Sequence, residues 1–262
     1  MSAFRQLQPQ PKGQHLMTYC AGLLVKAGLV MIADTRTNAG VDNISTFRKL
    51  HVFETPGDRV MAIATAGNLS VTQSALSMLA EGVRNPDTDE METLQTATSM
   101  FRAAQLIGSC VRTVHKDIAA AVEPGINADC SLLFGGQIKG GPMKLYLIYT
   151  EGNFIECGRD TPFLQIGEHK YGKPILVRSL SYDSDLYDAL KIGLVSFDST
   201  IRSNLAVGLP IDLAIMRRDD IAFERRHRIE PGDAYFQDIS ERWSQALVDA
   251  LIDIPRPPYA SN

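Results

Sequence analysis

Two β-hairpin patterns follow one another near the start of the chain, and they constrain everything after them. Residues 18–25 and 29–34 are apolar runs joined by Lys26-Ala27-Gly28, a spacing that signals a hairpin. Residues 47–53 and 59–66 are two more, joined by Glu54-Thr55-Pro56-Gly57-Asp58, where the Pro-Gly pair is strong turn chemistry. The period then changes. Leu69, Val71, Leu76 and Leu79 share one helical face, with Asn68 or Ser70 as N-cap. Leu94, Ala97, Phe101, Ala104 and Gly108 keep the 3.6 spacing and predict a second helix from Glu90 to about Ala121. Strands resume over 130–134, 145–149 and 154–157, separated by a stretch from Gly135-Gly136 to Gly141-Pro142 and by Glu151-Gly152-Asn153, which reads as a meander. A helical pattern over 183–201, a short strand over 213–216 and an amphipathic piece around 243–252 complete the order. Blocks of strands followed by blocks of helices predict an α+β fold, with helices laid over sheet faces. Residues 18–262 are expected to form one domain.

The first 17 residues differ from the rest. MSAFRQLQPQPKGQHLM is rich in Gln and Pro and poor in aliphatic side chains. It is expected to be a disordered extension, a propeptide or a start assigned too early, since it lacks the apolar stretch of a secretory signal. With 26 basic against 30 acidic residues the net charge is −4, which argues against a nucleic-acid partner. The most apolar segment, residues 20–33, is too short to cross a bilayer and carries Lys26, so no membrane partner is expected. The four cysteines, at 20, 110, 130 and 157, are widely spaced without a C-x-x-C. That suits reduced thiols in a cytoplasmic protein and supports neither a disulfide framework nor a zinc site. The five histidines are scattered, and no metal or organic cofactor is implied.

No G-x-S-x-G elbow, phosphate-binding glycine loop or H-E-x-x-H is present. The first hairpin holds the chemistry. If its turn centres near residue 27, antiparallel pairing sets Thr18 opposite a position close to 35, and Asp34 is beside it. A threonine hydroxyl is a weak nucleophile until a base takes its proton, and a free α-amine on the same residue can act as that base. Such an amine has a pKa of about 8, which a neighbouring cation lowers. Lys49, in the second hairpin, is such a cation, and Gly67, where that hairpin returns, could offer an N–H to an oxyanion. Taken singly, each of Thr18, Asp34 and Lys49 reads first as an ordinary surface residue, because spacing alone is a weak filter.

In combination they carry a resemblance. The segment MTYCAGLLVKAGLVMIADTRTNAGVDNISTFRKLHVF, with AIATAGNLSVTQSAL, SLLFGGQIKGGPMKLYLIY, FLQIGEHKYGKPIL and RSNLAVGLPIDLAIM, resembles the proteasome superfamily and, within it, the bacterial Anbu (ancestral β-subunit) family. The resemblance spans about residues 17–250. It implies an N-terminal-nucleophile hydrolase fold, a four-layer αββα sandwich of two antiparallel sheets between helix layers. It implies a threonine peptidase subunit in a homo-oligomeric ring or spiral, acting on peptide or unfolded protein. In that family an Asp follows the nucleophile by sixteen residues and a Lys comes some sixteen later. Asp34 lies sixteen beyond Thr18 and Lys49 fifteen beyond Asp34. By that match Thr18 attacks the carbonyl, Lys49 lowers the pKa of hydroxyl and amine, Asp34 orients Lys49, and Gly67 is the oxyanion-hole glycine.

The chain departs from the pattern in places. Where active subunits carry a Ser beside the amine, the chain reads Gly167-Glu168-His169. The supporting Asp and Ser before the last strand are loosely matched, Ser203 better than Asp198. Residue 17 is Met rather than Gly, which suits a start at Met17 and removal of that Met; a chain retaining the tail is expected to be inactive, because an amide nitrogen is no base. A non-catalytic ring or scaffold subunit, and an amidase for small amides with residues 35–46 and 67–71 around its pocket, are the alternative readings.

Overall fold

The computed structural model describes residues 18–38, 44–85, 88–121 and 127–259; the 17-residue extension expected from composition lies outside them. The first hairpin is β1 (Tyr19–Val25) and β2 (Gly28–Asp34), paired Cys20 to Ala33 through Val25 to Gly28. A short ladder of β3 (Arg36–Asn38) and β4 (Ile44–Thr46) leads to the second hairpin, β5 (Leu50–Thr55) and β6 (Arg59–Gly67). Helix α1 (Leu69–Glu81) starts where Asn68 Oδ1 accepts the Val71 N–H at 3.2 Å, so of the two caps expected, Asn68 serves. The small pair β7 (Val83–Arg84) and β8 (Met91–Glu92) precedes α2 (Met100–Ala121). Then come β9 (Cys130–Ile138), β10 (Lys144–Tyr149), β11 (Phe154–Glu156) and β12 (Phe163–Gly167). Helices α3 (Lys173–Ser179) and α4 (Leu186–Ser203), strands β13 (Ile211–Arg217) and β14 (Arg225–Ile229), and α5 (Ala234–Asp253) finish the chain.

Ten strands form two antiparallel sheets, β12-β1-β2-β13-β14 and β11-β10-β9-β6-β5. Strand alternation explains the layering, because odd and even residues face opposite sides. In β1, Tyr19, Ala21, Leu23 and Val25 pack with Leu186, Ala189 and Phe197 of α4. Cys20 and Leu24 face the other way, against Ala62, Ala64 and Leu133 of the second sheet. In β6, Met61 and Ile63 turn outward to α1 and α2. Three apolar cores therefore separate four layers: helices, sheet, sheet, helices. Both faces of the central strands are covered, which is why they read as unbroken apolar runs. Each fully buried Leu, Ile or Phe contributes about 1.5–3 kcal/mol.

Some expectations shift. The second helix begins at Met100 rather than Glu90, because residues 91–99 are spent on β8 and turns before the cap. Gly135-Gly136, read as a separator, lies inside β9. A Cβ on Gly135 would come 2.6 Å from Leu29 Cδ2, so the glycine lets the sheets approach rather than turning the chain. The final amphipathic piece belongs to a 20-residue helix.

Candidate active site

The two hairpins place four of the five expected residues at strand ends on one side of the molecule. Thr18 immediately precedes β1, Asp34 ends β2, Lys49 precedes β5 and Gly67 ends β6. The β1–β2 register carries Tyr19 to Asp34, whose Oδ1 accepts the Tyr19 N–H at 3.0 Å. Thr65 N–H donates to the Lys49 carbonyl at 3.0 Å, which ties the lysine to the second sheet. Across the gap between sheets, Lys49 Nζ reaches Asp34 Oδ1 at 2.9 Å and the Arg36 carbonyl at 2.5 Å. Both side chains are almost wholly buried. A small pocket of about 70 Å³ opens beside Lys49, lined by Thr18, Lys49, Thr65, Gly67, Thr72 and Gly167 among others. Of the pocket walls expected from sequence, Gly67 and Leu69 are present, with Thr37 of β3 from the 35–46 stretch; residues 39–43 lie outside the described residues.

Burial dominates the electrostatics of Asp34. Loss of water pushes its carboxyl up to about 6, while the Lys49 charge and the N–H groups of Tyr19 and Gly208 pull it back. The carboxylate is thus held close to its titration at working pH by one cation. Cys20, on the next residue pair of the hairpin, is buried with its thiol pushed well up. It donates weakly to the Thr65 carbonyl at 3.6 Å and is no thiolate nucleophile. The other cysteines are buried too, with Cys110 raised to about 11 and Cys130 and Cys157 to about 12.

Two glycines shape the pocket walls. Gly67 has φ +98°, and a Cβ there would lie 2.4 Å from the Asp129 carbonyl oxygen. Gly167 has φ +79°, and its Cβ would lie 2.0 Å from the Thr18 carbonyl oxygen. The second contact means that β12 presses directly on the residue that carries the hydroxyl. The register that pairs Tyr19 with Gly167 sets Glu168 opposite Thr18, and Glu168 N–H donates to the Thr18 carbonyl at 2.7 Å. The Glu168 carboxylate is buried; Oε2 accepts from Asn204 Nδ2 at 3.1 Å, while Oε1 has only Lys170 Nζ, at 4.0 Å.

The remaining expected residues stand elsewhere. Ser203 is exposed at the last turn of α4, past the buried Thr200, and does not line the pocket. Its neighbour Asn204 is the residue that turns back, to Glu168. Asp198 is buried between α4 and α5, accepting from Ser240 Oγ at 2.6 Å and Arg202 Nε at 3.3 Å. Its role is to join two helices. Sequence reasoning missed Thr65 and Thr72, which line the pocket, and the network behind β1. There Tyr19 Oη meets Ser196 Oγ at 2.6 Å and accepts from Gln165 Nε2, and burial raises the phenol to about 12. Only the sheet register would have revealed these pairings. Among the described residues no group of three or more His, Cys, Asp or Glu is arranged to hold a metal ion, and no helix is long and apolar enough to cross a membrane.

Two antiparallel sheets between helix layers, with a Thr, Asp and Lys gathered at the ends of two N-terminal hairpins, define a proteasome-like N-terminal-nucleophile fold. Solved structures agree. Anbu (ancestral beta-subunit) from Yersinia bercovieri is 45% identical over 93% of this chain and all of that one, with a TM-score of 0.84. Anbu from Hyphomicrobium sp. strain MC1 is 47% identical over 92% of this chain and 99% of its own, with a TM-score of 0.82. The Anbu complex of Pseudomonas aeruginosa, solved as a helical assembly, is 46% identical over 94% of this chain and all of that one, with a TM-score of 0.85. The chain belongs to the Anbu family. Neither a family model nor a curated protein matches it.

Proposed function

We propose that the chain is a threonine peptidase subunit whose nucleophile is Thr18, active when residue 18 is the first of the chain. The carrying observation is the buried Lys49–Asp34 pair, 2.9 Å apart, whose lysine lines one pocket with Thr18. Desolvating two opposite charges is costly and is a weak source of stability, so a pair buried beside a hydroxyl is best understood through chemistry. The Thr18 Oγ1 attacks the scissile carbonyl carbon while the α-amine accepts its proton, directly or through water, and returns it to the leaving nitrogen. Lys49 contributes positive charge that favours the neutral amine and the alkoxide, and Asp34 keeps that ammonium ionised and oriented. The Gly67 N–H is the candidate donor to the developing oxyanion. The subunits assemble as homo-oligomers, a reading supported by the helical assembly of the Pseudomonas aeruginosa relative.

Protein made to begin at Thr18, with intact mass confirming the free terminus, tests this directly. It should hydrolyse peptide amides and take up one equivalent of an epoxyketone or boronate probe, and Thr18→Ala should do neither. Unchanged turnover in Thr18→Ala would refute the assignment. A non-catalytic ring subunit is the second reading, favoured by the buried carboxylate of Glu168 opposite Thr18. It requires that a free Thr18 never forms an adduct.

A further inference from the structure

The two sheets end on open edges, β5 in one and β14 in the other. Between them lies a groove of about 240 Å³ that includes residues of both. β14 carries Arg225-Arg226-His227-Arg228, a dense basic run in a chain of net charge −4. Arg226, His227 and Arg228 line the groove, Arg48 faces them from the start of β5, and Leu50 and Val52 are part of its floor.

One carboxylate, Asp212, is present, and it is already engaged. Arg228 holds its two oxygens at 2.7 and 2.8 Å through Nε and a terminal nitrogen. Arg48 Nε stands 3.8 Å from Asp212 Oδ2 with a side chain 64% exposed, beyond hydrogen-bond distance. Arg226 has no ion pair among the described residues. Its guanidinium lies over the Phe223 ring at 5.6 Å, an arrangement that limits its rotamers while its N–H edge can still donate. Nearby, His51 is held below the usual histidine value by burial first and the Arg48 charge second, against the opposing pull of Asp212.

Arg226, with no ion pair among the described residues, and Arg48, only loosely paired with Asp212 at 3.8 Å, face one concavity, and two such forks match the oxygens of a tetrahedral anion. We propose that this groove is a binding site for an oxyanion of the phosphate class, with Arg48 and Arg226 as its ligands and the Arg228–Asp212 pair as a fixed wall. Charged residues also keep open strand edges from pairing, but that role needs no ligand.

The test is a titration of the full chain with inorganic phosphate at constant ionic strength set by chloride, read by 31P line width and by thermal unfolding. Saturable binding is expected, with a rise in Tm that follows occupancy. Affinity should fall at least tenfold in Arg48→Gln/Arg226→Gln and stay unchanged in Arg225→Gln, one residue away on the opposite face of the strand. Arg226→Gln alone, at an exposed position, should also weaken it and serves if the double variant fails to fold. No saturable binding to the unmodified chain, or undiminished binding to the variants, would overturn the proposal and leave edge protection as the role of the run. The readout needs no turnover, so it stands or falls apart from the role of Thr18.

Discussion

Under the proposed mechanism the chemistry turns on Asp34, because burial pushes its carboxyl up to about 6 with the Lys49 cation against it. Below that pH it takes a proton and Lys49 loses its counter-ion. Hydrolysis by the chain beginning at Thr18 should therefore fall on acidification through about pH 6, in a pH–rate profile of kcat/KM. Stability should respond in the opposite sense. The folded pKa lies above the unfolded value of about 3.9, so the Asp34 contribution is full below that value and is lost as pH rises through about 6. Urea unfolding of the chain and of Asp34→Asn at pH 5 and pH 7.5 separates the two effects. The Asn variant should lose this pH dependence along with its activity. Lys49→Ala leaves the Asp34 charge buried without its cation, so it should cost about 3–5 kcal/mol and abolish turnover. At Glu168, a buried carboxylate opposite Thr18 favours the charged form of a free α-amine. Glu168→Gln should shift the midpoint of the amine-dependent limb of that profile to lower pH; an unmoved limb would show that the carboxylate does not reach the amine.

At the scale of elements, the position of Thr18 depends on the fit of β12 against β1. Gly167→Ala would place a methyl 2.0 Å from the Thr18 carbonyl oxygen at a φ of +79°, so the strand must shift. Differential scanning calorimetry should show a clear drop in Tm, and probe labelling at Thr18 should slow beyond what the lost stability explains. A milder control is Asn68→Ala, which removes the α1 cap and should cost about 1 kcal/mol with labelling kept. Elements with strong local signals were legible in the sequence: both hairpins, the α1 cap and the meander strands rest on turn residues and periodicity. Elements set by packing were not. Gly135 looks like a turn locally and is a close approach between sheets. β14, with Arg225-Arg226-His227-Arg228, has no apolar alternation to announce a strand, because it is an edge with water beside it.

At the scale of the whole molecule, the last turns of α5 are left uncovered among the described residues. Leu247, Val248, Leu251, Ile252 and Ile254 are all exposed, from 48% to 75%, more apolar surface than one helix end of a monomer usually shows. Under the homo-oligomeric reading this face lies against a second copy. Leu247→Asp/Leu251→Asp should move sedimentation to smaller species while far-UV circular dichroism is unchanged. An unaltered assembly would place the contact elsewhere.

By itself the sequence determined the antiparallel hairpins and the α+β order, and with them the nearness of Thr18, Asp34, Lys49 and Gly67 to strand ends, because short-range turn chemistry fixes register and register fixes which strand ends meet. Tertiary structure alone decided which of the more distant candidates join them. Thr65 and Thr72 came to the pocket, Glu168 was set opposite Thr18, Ser203 stayed at the surface and Asp198 went to the α4–α5 contact. Those outcomes depend on how the two five-stranded sheets and the helix layers stack, and on the loss of water that this stacking imposes. No local pattern in the chain encodes either.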